Sequence, residues 1–175
     1  MSVRRVYSVL FLCTGNSARS IMAECSLSRW SGGRFQAFSA GSRPAGYVHP
    51  LALEFLKGMN FATENLRSKS WDEFARADSP PLDFVFTVCD KAAGESCPVW
   101  PGQPVTAHWG VEDPAAFIGS QDKQRAFFRK IFLELDARIR IFVSLKLDDL
   151  DEMALQRRLN EIGLTEVRSH GSVAS

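Results

Sequence analysis

Histidine and cysteine are scarce in this 175-residue chain, with three of the first and four of the second. The cysteines stand at positions 13, 25, 89 and 97, so the tight Cys-x-x-Cys spacing of a zinc site is missing and no bound metal is expected. The same scarcity excludes a disulfide-stapled secreted scaffold, and a chain of this length buries a proper core without staples. No apolar stretch approaches the roughly 20 residues of a membrane span. Arg4-Arg5 and the apolar Tyr7–Leu12 have the outline of a secretory leader, but the run is short and no small-residue cleavage site follows it. Charge of one sign is lacking too: 21 Lys and Arg against 20 Asp and Glu leave a net +1. That balance offers neither a nucleic-acid stripe nor a polybasic membrane patch. Repeats and low-complexity tracts are also missing. What remains is one globular domain, expected in the cytoplasm, whose partner is small.

What is present centres on residues 9–20. The apolar run Val9-Leu10-Phe11-Leu12 stops at Cys13, the small residues Thr14-Gly15-Asn16-Ser17-Ala18 follow, and Arg19-Ser20 opens a segment with helical spacing. The pattern reads as strand, anion-binding loop, helix. In such a junction successive backbone N–H groups converge on one point and the helix N-terminus adds partial positive charge, which suits an oxyanion. Gly15 is expected to take the unusual backbone angles of the turn. Arg19, six residues after Cys13, can curl back and present a planar fork to two oxygens of a tetrahedral anion. The same field favours the thiolate of Cys13, a nucleophile facing the central atom of the anion, and Ser20 can donate a hydrogen bond to the sulfur. A buried structural cysteine would fit the bare Cys-x5-Arg-Ser string, but not its place between a hydrophobic strand and a helix.

At Cys13 to Ser20, with Met22-Ala23-Glu24 behind them, the chain resembles the low-molecular-weight protein tyrosine phosphatase family, in particular its arsenate reductase branch. It differs from the nucleotide-binding Gly-x4-Gly-Lys-Ser/Thr loop, which has no cysteine. The resemblance extends through Val88-Cys89, Cys97-Pro98, His108-Trp109-Gly110 and Asp113-Pro114 and covers roughly residues 6–145.

Strand and helix patterns alternate along the chain. Strands are expected at 7–12, 34–41, 82–88 and 104–109. Helices are expected from Ser20 to Trp30, from Pro50 to Gly58, and from Ser120 to Leu145, where Phe128, Ile131, Phe132, Leu135, Ile139 and Phe142 recur at threes and fours. Residues 71–75 read as a helical turn and 90–102 as a long irregular loop. This order predicts a single-domain α/β three-layer sandwich around a four-stranded parallel sheet, spanning residues 1–147. A further amphipathic helix follows in 148–164, with Leu150, Met153, Leu155, Leu159 and Ile162 on its apolar face, and 165–175 reads as a flexible tail. Cys25 falls inside a helical pattern and is expected as core packing, and His49, before Pro50, as a helix cap.

In a parallel α/β sheet, ligands sit at the carboxyl ends of the strands. Cys13, Cys89 and Asp113 each follow a predicted strand, so all three belong on one edge, and the loop from Asp90 to Gly102 lets Cys97 approach or leave. The family resemblance implies what they do there: Cys13 attacks arsenate, Asp113 protonates the departing oxygen, Cys89 releases arsenite by forming a Cys13–Cys89 disulfide, and Cys97 resolves it. It further implies an external thiol reductant, thioredoxin or else glutaredoxin or a small thiol, and no tightly bound cofactor. Two departures from the family pattern stand out. The stretch between Cys89 and Cys97 is one residue longer than in three-cysteine members, and Ala18 stands where some members carry a second loop cysteine. One alternative is a phosphatase that uses Cys13, Arg19 and Asp113 on phosphate esters, although Ala115-Ala116 follow Asp-Pro where an aromatic would hold a phosphotyrosine ring. Another is a non-enzymatic redox or oxyanion sensor, whose disulfide shifts a binding surface.

Overall fold

The computed structural model describes residues 5–95 and 97–166. Strand β1 (Tyr7–Cys13) is apolar on both faces because both are covered: Val9 and Phe11 point into one core, Leu10 and Leu12 into another. It pairs in parallel with β2 (Phe35–Gly41) on one side and with β3 (Phe84–Thr87) on the other, and β4 (Val105–His108) completes the sheet beyond β3. In the order β2-β1-β3-β4 the chain leaves β1 to one side and crosses back to β3. A crevice therefore opens outside the carboxyl ends of β1 and β3. Cys13 ends β1 there and Cys89 follows β3, and the Val88 N–H donates to Leu12 O at 2.8 Å to hold the two ends together.

Helices α1 (Arg19–Trp30), α2 (Pro50–Gly58) and α4 (Gln121–Val143) contribute to the core on the Val9–Phe11 face. Ile21, Met22 and Leu27, Leu56, and Phe128, Phe132, Leu135 and Phe142 are buried there. Trp109 stacks on Phe86 with ring centroids 3.9 Å apart, and Phe11 and Phe142 close around the pair. The other face carries a thinner layer, in which the 3-10 turn Trp71–Phe74 and Trp100 cover Leu10, Leu12 and Val85.

Two elements differ from the sequence pattern. The stretch expected to be irregular contains a one-turn helix, α3 (Asp90–Ala93). The last helix, α5 (Glu152–Gly163), starts later than expected: residues 147–149 form a 3-10 turn, and Asp151 caps the helix by accepting the Ala154 N–H at 2.7 Å. Met153, expected on the apolar face, is 77% exposed, whereas Leu159 and Ile162 are buried. α5 lies along β4, where the Trp109 indole N–H donates to Leu159 O at 2.9 Å and the Gln156 amide to Thr106 O at 2.8 Å. The tail expected to be flexible lies, from residue 167 onward, outside the described residues. Among those described, no helix is long and apolar enough to cross a membrane.

Candidate active site

Residues 14–18 connect β1 to α1, and contacts from outside the loop turn its peptide groups. The Thr14 carbonyl accepts the Arg43 N–H at 2.9 Å, the Gly15 carbonyl accepts the Ala45 N–H at 2.9 Å and the Ser68 hydroxyl at 3.1 Å, and the Ser17 carbonyl accepts the His49 N–H at 2.8 Å. With these carbonyls engaged outward, the N–H groups of the loop are left for the pocket. The N-cap of α1 is Ala18, whose side chain caps nothing, so the first-turn N–H groups have no side-chain cap. The left-handed backbone expected at Gly15 falls on Asn16 instead, with φ at 43°. Asparagine tolerates that region, and its amide locks it in place: Nδ2 donates to Ser20 Oγ at 2.8 Å and Oδ1 accepts the Lys69 N–H at 2.9 Å. The glycine that the loop does require is Gly41, where a Cβ would sit 2.5 Å from Thr14 O and 2.9 Å from Cys13 O.

Cys13 Sγ lies 3.0 Å from Ser20 Oγ. Asn16 already donates to that oxygen, so the hydroxyl proton of Ser20 is free to point at the sulfur. Arg19 reaches across with Nη1 donating to Val111 O at 3.2 Å and Nη2 lying 3.6 Å from Asp113 Oδ2. Asp113 caps the 3-10 turn Pro114–Ala116, its Oδ1 accepting the Ala115 N–H at 3.0 Å. Cys89 is buried beneath α3, where its sulfur meets the Ala92 N–H at 3.3 Å and Thr14 Oγ1 at 3.6 Å. Cys13, Arg19, Cys89, Asp90, Glu112 and Asp113 line one pocket of about 460 Å³ together with the loop.

Cys97 is not among the residues lining this pocket. It is exposed, its sulfur directed at Glu95 O at 3.8 Å, and its thiol is raised above the ordinary cysteine range by desolvation of the sulfur and then by the Glu95 carboxylate. Cys25 is core packing as expected, with burial pushing its thiol up to about 12. His49 caps α2, its Nδ1 accepting the Leu51 N–H at 3.1 Å, and burial lowers it below the ordinary histidine value. Among the described residues no three His, Cys, Asp or Glu side chains gather as metal ligands would.

A polar cluster behind the loop had no counterpart in the sequence reading. Ser39 Oγ donates to Glu24 Oε2 at 3.2 Å, and the buried Lys69 ammonium donates to Ser39 Oγ at 3.4 Å and Arg67 O at 3.0 Å. Burial raises Glu24 and lowers Lys69, and each charge partly offsets the shift of the other. The three residues come from α1, β2 and the segment before the 3-10 turn, so only the fold brings them together.

A strand-loop-helix turn around one cysteine, faced by an arginine and an aspartate at a sheet's carboxyl edge, places the chain among known proteins. The family model for low molecular weight phosphotyrosine protein phosphatase matches residues 8–153, and the chain belongs to that family. A curated relative, arsenate reductase of Bacillus subtilis (strain 168), is 34% identical over 134 residues, which cover 77% of this chain and 93% of the relative. Among solved structures, a thioredoxin-dependent arsenate reductase of Corynebacterium glutamicum superposes with a TM-score of 0.62 at 30% identity, covering 85% of this chain. This chain spans about two thirds of that protein's length, 66%. An arsenate reductase from Archaeoglobus fulgidus matches with a TM-score of 0.61 at 28% identity over 78% of this chain and 99% of its own.

Proposed function

We propose that the protein reduces arsenate to arsenite with its own thiols. The observation that carries this reading is the pair of cysteines, Cys13 and Cys89, lining one pocket with Arg19 and Asp113. Hydrolysis of a phosphate ester needs only the first. The likeness to arsenate reductases supports it further.

In this reading the N–H groups of residues 14–20 and the Arg19 fork bind the arsenate oxygens. The Cys13 thiolate, beside Ser20, attacks arsenic, and one oxygen leaves as water with a proton from Asp113. Cys89 then attacks the Cys13 sulfur. The sulfur–arsenic electron pair stays on arsenic, which departs as arsenite, and the Cys13–Cys89 disulfide holds the two-electron oxidation. Cys97 next attacks Cys89 and frees Cys13, and because Cys97 stands outside the pocket this step requires the segment from Cys89 to Cys97 to rearrange until the two sulfurs meet. A thioredoxin-like protein reopens the Cys89–Cys97 bond, and glutaredoxin or a small thiol would perform the same exchange. Such a cycle belongs in a reducing compartment such as the cytoplasm.

The test is a single turnover of the fully reduced protein with arsenate, followed by mass-spectrometric mapping of its disulfides. One equivalent of arsenite per chain and a Cys89–Cys97 bond are expected. Cys13→Ser should abolish the reaction, Cys89→Ser should yield no arsenite, and Cys97→Ser should stop after one turnover with a Cys13–Cys89 bond. A second reading, phosphate ester hydrolysis, draws on family membership and on the presence of Cys13, Arg19 and Asp113 in one pocket. Aryl phosphate hydrolysis with neither arsenite nor a disulfide would replace the first reading with it.

A further inference from the structure

Arg138 of α4 is a buried cation, 7% exposed, that the chemistry above does not use. Its guanidinium is engaged by carbonyl oxygens: Nη1 donates to Trp109 O at 3.0 Å and Gly110 O at 3.1 Å, while Nε and Nη2 donate to Thr165 O at 3.4 and 3.3 Å. Burial lowers Arg138 below the usual arginine range, with Glu134 one turn away opposing the shift. Burying a charge among neutral dipoles costs more than burying an apolar side chain of the same size.

The segment held in this way is the one that carries Asp113. Arg138 fixes the carbonyls of residues 109 and 110, the Val111 N–H donates to Val88 O at 3.0 Å, and Val111 O accepts from Arg19. Three consecutive peptide groups are thus pinned immediately before Glu112-Asp113. The far prongs of the same guanidinium hold Thr165, just past α5. That helix is seated closely on β4, since a Cβ on Gly163 would lie 2.4 Å from His108 O and 2.9 Å from Trp109 Cδ1. Most of α5 lies beyond residue 153, where the family match ends.

We propose that Arg138, backed by α5, is the positioning residue for Asp113: a brace that sets where the carboxyl stands while touching neither substrate nor acid. This rests on the reading of Asp113 as the proton donor. Displacing a catalytic group by an ångström slows its step severely, whereas the loop N–H groups that face the anion are held from Arg43, Ala45, His49 and Ser68, and only Arg19, through Val111 O, shares the braced segment.

A double-mutant cycle in the full chain tests it, with Arg138→Met and Asp113→Asn alone and combined. Turnover is measured with arsenate and thioredoxin, and with phenyl and p-nitrophenyl phosphate. Arg138→Met should lower kcat about tenfold with the KM for arsenate changed less than about twofold, and should add less than about twofold in the Asp113→Asn background. Phenyl phosphate, whose phenolate is the more basic leaving group and needs the proton more, should suffer more than p-nitrophenyl phosphate. A tenfold loss that persists in the Asp113→Asn background, or an Arg138→Met enzyme equal to the parent, overturns the brace. If Arg138→Met does not fold, Arg138→Lys takes its place in the cycle, since it keeps the charge and an apolar stem but loses the fork that joins the carbonyls of residues 109 and 110 to that of Thr165. A parent enzyme that yields no arsenite defeats the arsenate reading, and the cycle is then decided on the aryl phosphates. Asp113→Asn without loss on any substrate defeats the acid assignment and the brace together, and that result is in hand before Arg138 is altered.

Discussion

Surroundings distinguish the four cysteines more than spacing does. Cys25 sits in the core and is pushed up to about 12, Cys13 and Cys89 face one pocket, and Cys97 stands at the surface. The sequence indicated the first three places because each follows from an element: a helix interior, the end of β1, the end of β3. It also predicted His49 as a cap and Ser20 beside the sulfur. It misassigned the strained backbone to Gly15, since nothing local reveals that Asn16 has two buried partners, Ser20 and Lys69, to hold it there. The Glu24–Ser39–Lys69 cluster behind that loop carries a pH dependence. Burial holds Glu24 above the ordinary carboxylate range, and the Lys69 ammonium pulls it partly back. A carboxyl whose folded value exceeds its unfolded one stabilises most below the unfolded value, and this contribution is lost as pH rises through the folded value. Lys69→Met lets Glu24 rise further, so the variant should lose stability relative to the parent as pH rises above the ordinary carboxylate range. Urea midpoints followed through that rise would show it, and parallel curves for the two proteins would exclude the coupling.

Among the elements, the central strands and α4 were legible because an apolar run buried on both faces and a repeat at threes and fours are strong signals. Helix α3 was not, because four residues carry no periodicity; its place is set by Asp90. The Asp90 carboxylate meets His108 Nε2 at 2.7 Å, while Thr87 Oγ1 meets the other ring nitrogen at 2.7 Å, so the start of α3 is tied to the ends of β3 and β4. Gly110 lies against this tie: a Cβ there would come within 2.6 Å of His108 Nε2 and 2.7 Å of Asp90 Oδ1. Gly110→Ala should therefore part the pair and loosen α3. Hydrogen exchange at the Ala92 and Ala93 amides should speed up on the order of fivefold, with the amides of β1 unchanged. Unchanged exchange at α3 would mean that the tie does not hold it.

At the scale of the whole molecule, the sheet has two edges, and α5 covers the one that β4 would otherwise expose. The sequence showed that a last helix exists but not where it docks, because its apolar stripe fits any groove and its start was masked by the 3-10 turn at 147–149. Ending the chain after Leu150 uncovers the edge and the seats of Leu159 and Ile162, each worth about 1.5–3 kcal/mol of burial. Such a truncation should lose about 3–6 kcal/mol in denaturant unfolding and associate in light scattering; a monomer of unchanged stability would refute the covering role. The contact is also lopsided in what it asks of each partner. Apart from the Trp109 ring, which donates to Leu159 O, β4 offers α5 main-chain oxygens, those of Thr106 and His108, and at these two points the helix supplies chosen residues, the Gln156 amide and the missing side chain of Gly163. Main-chain oxygens survive any substitution, so at Thr106 and His108 the strand is free to drift while Gln156 and Gly163 carry the burden of fitting it, and only at Trp109 is the burden reversed.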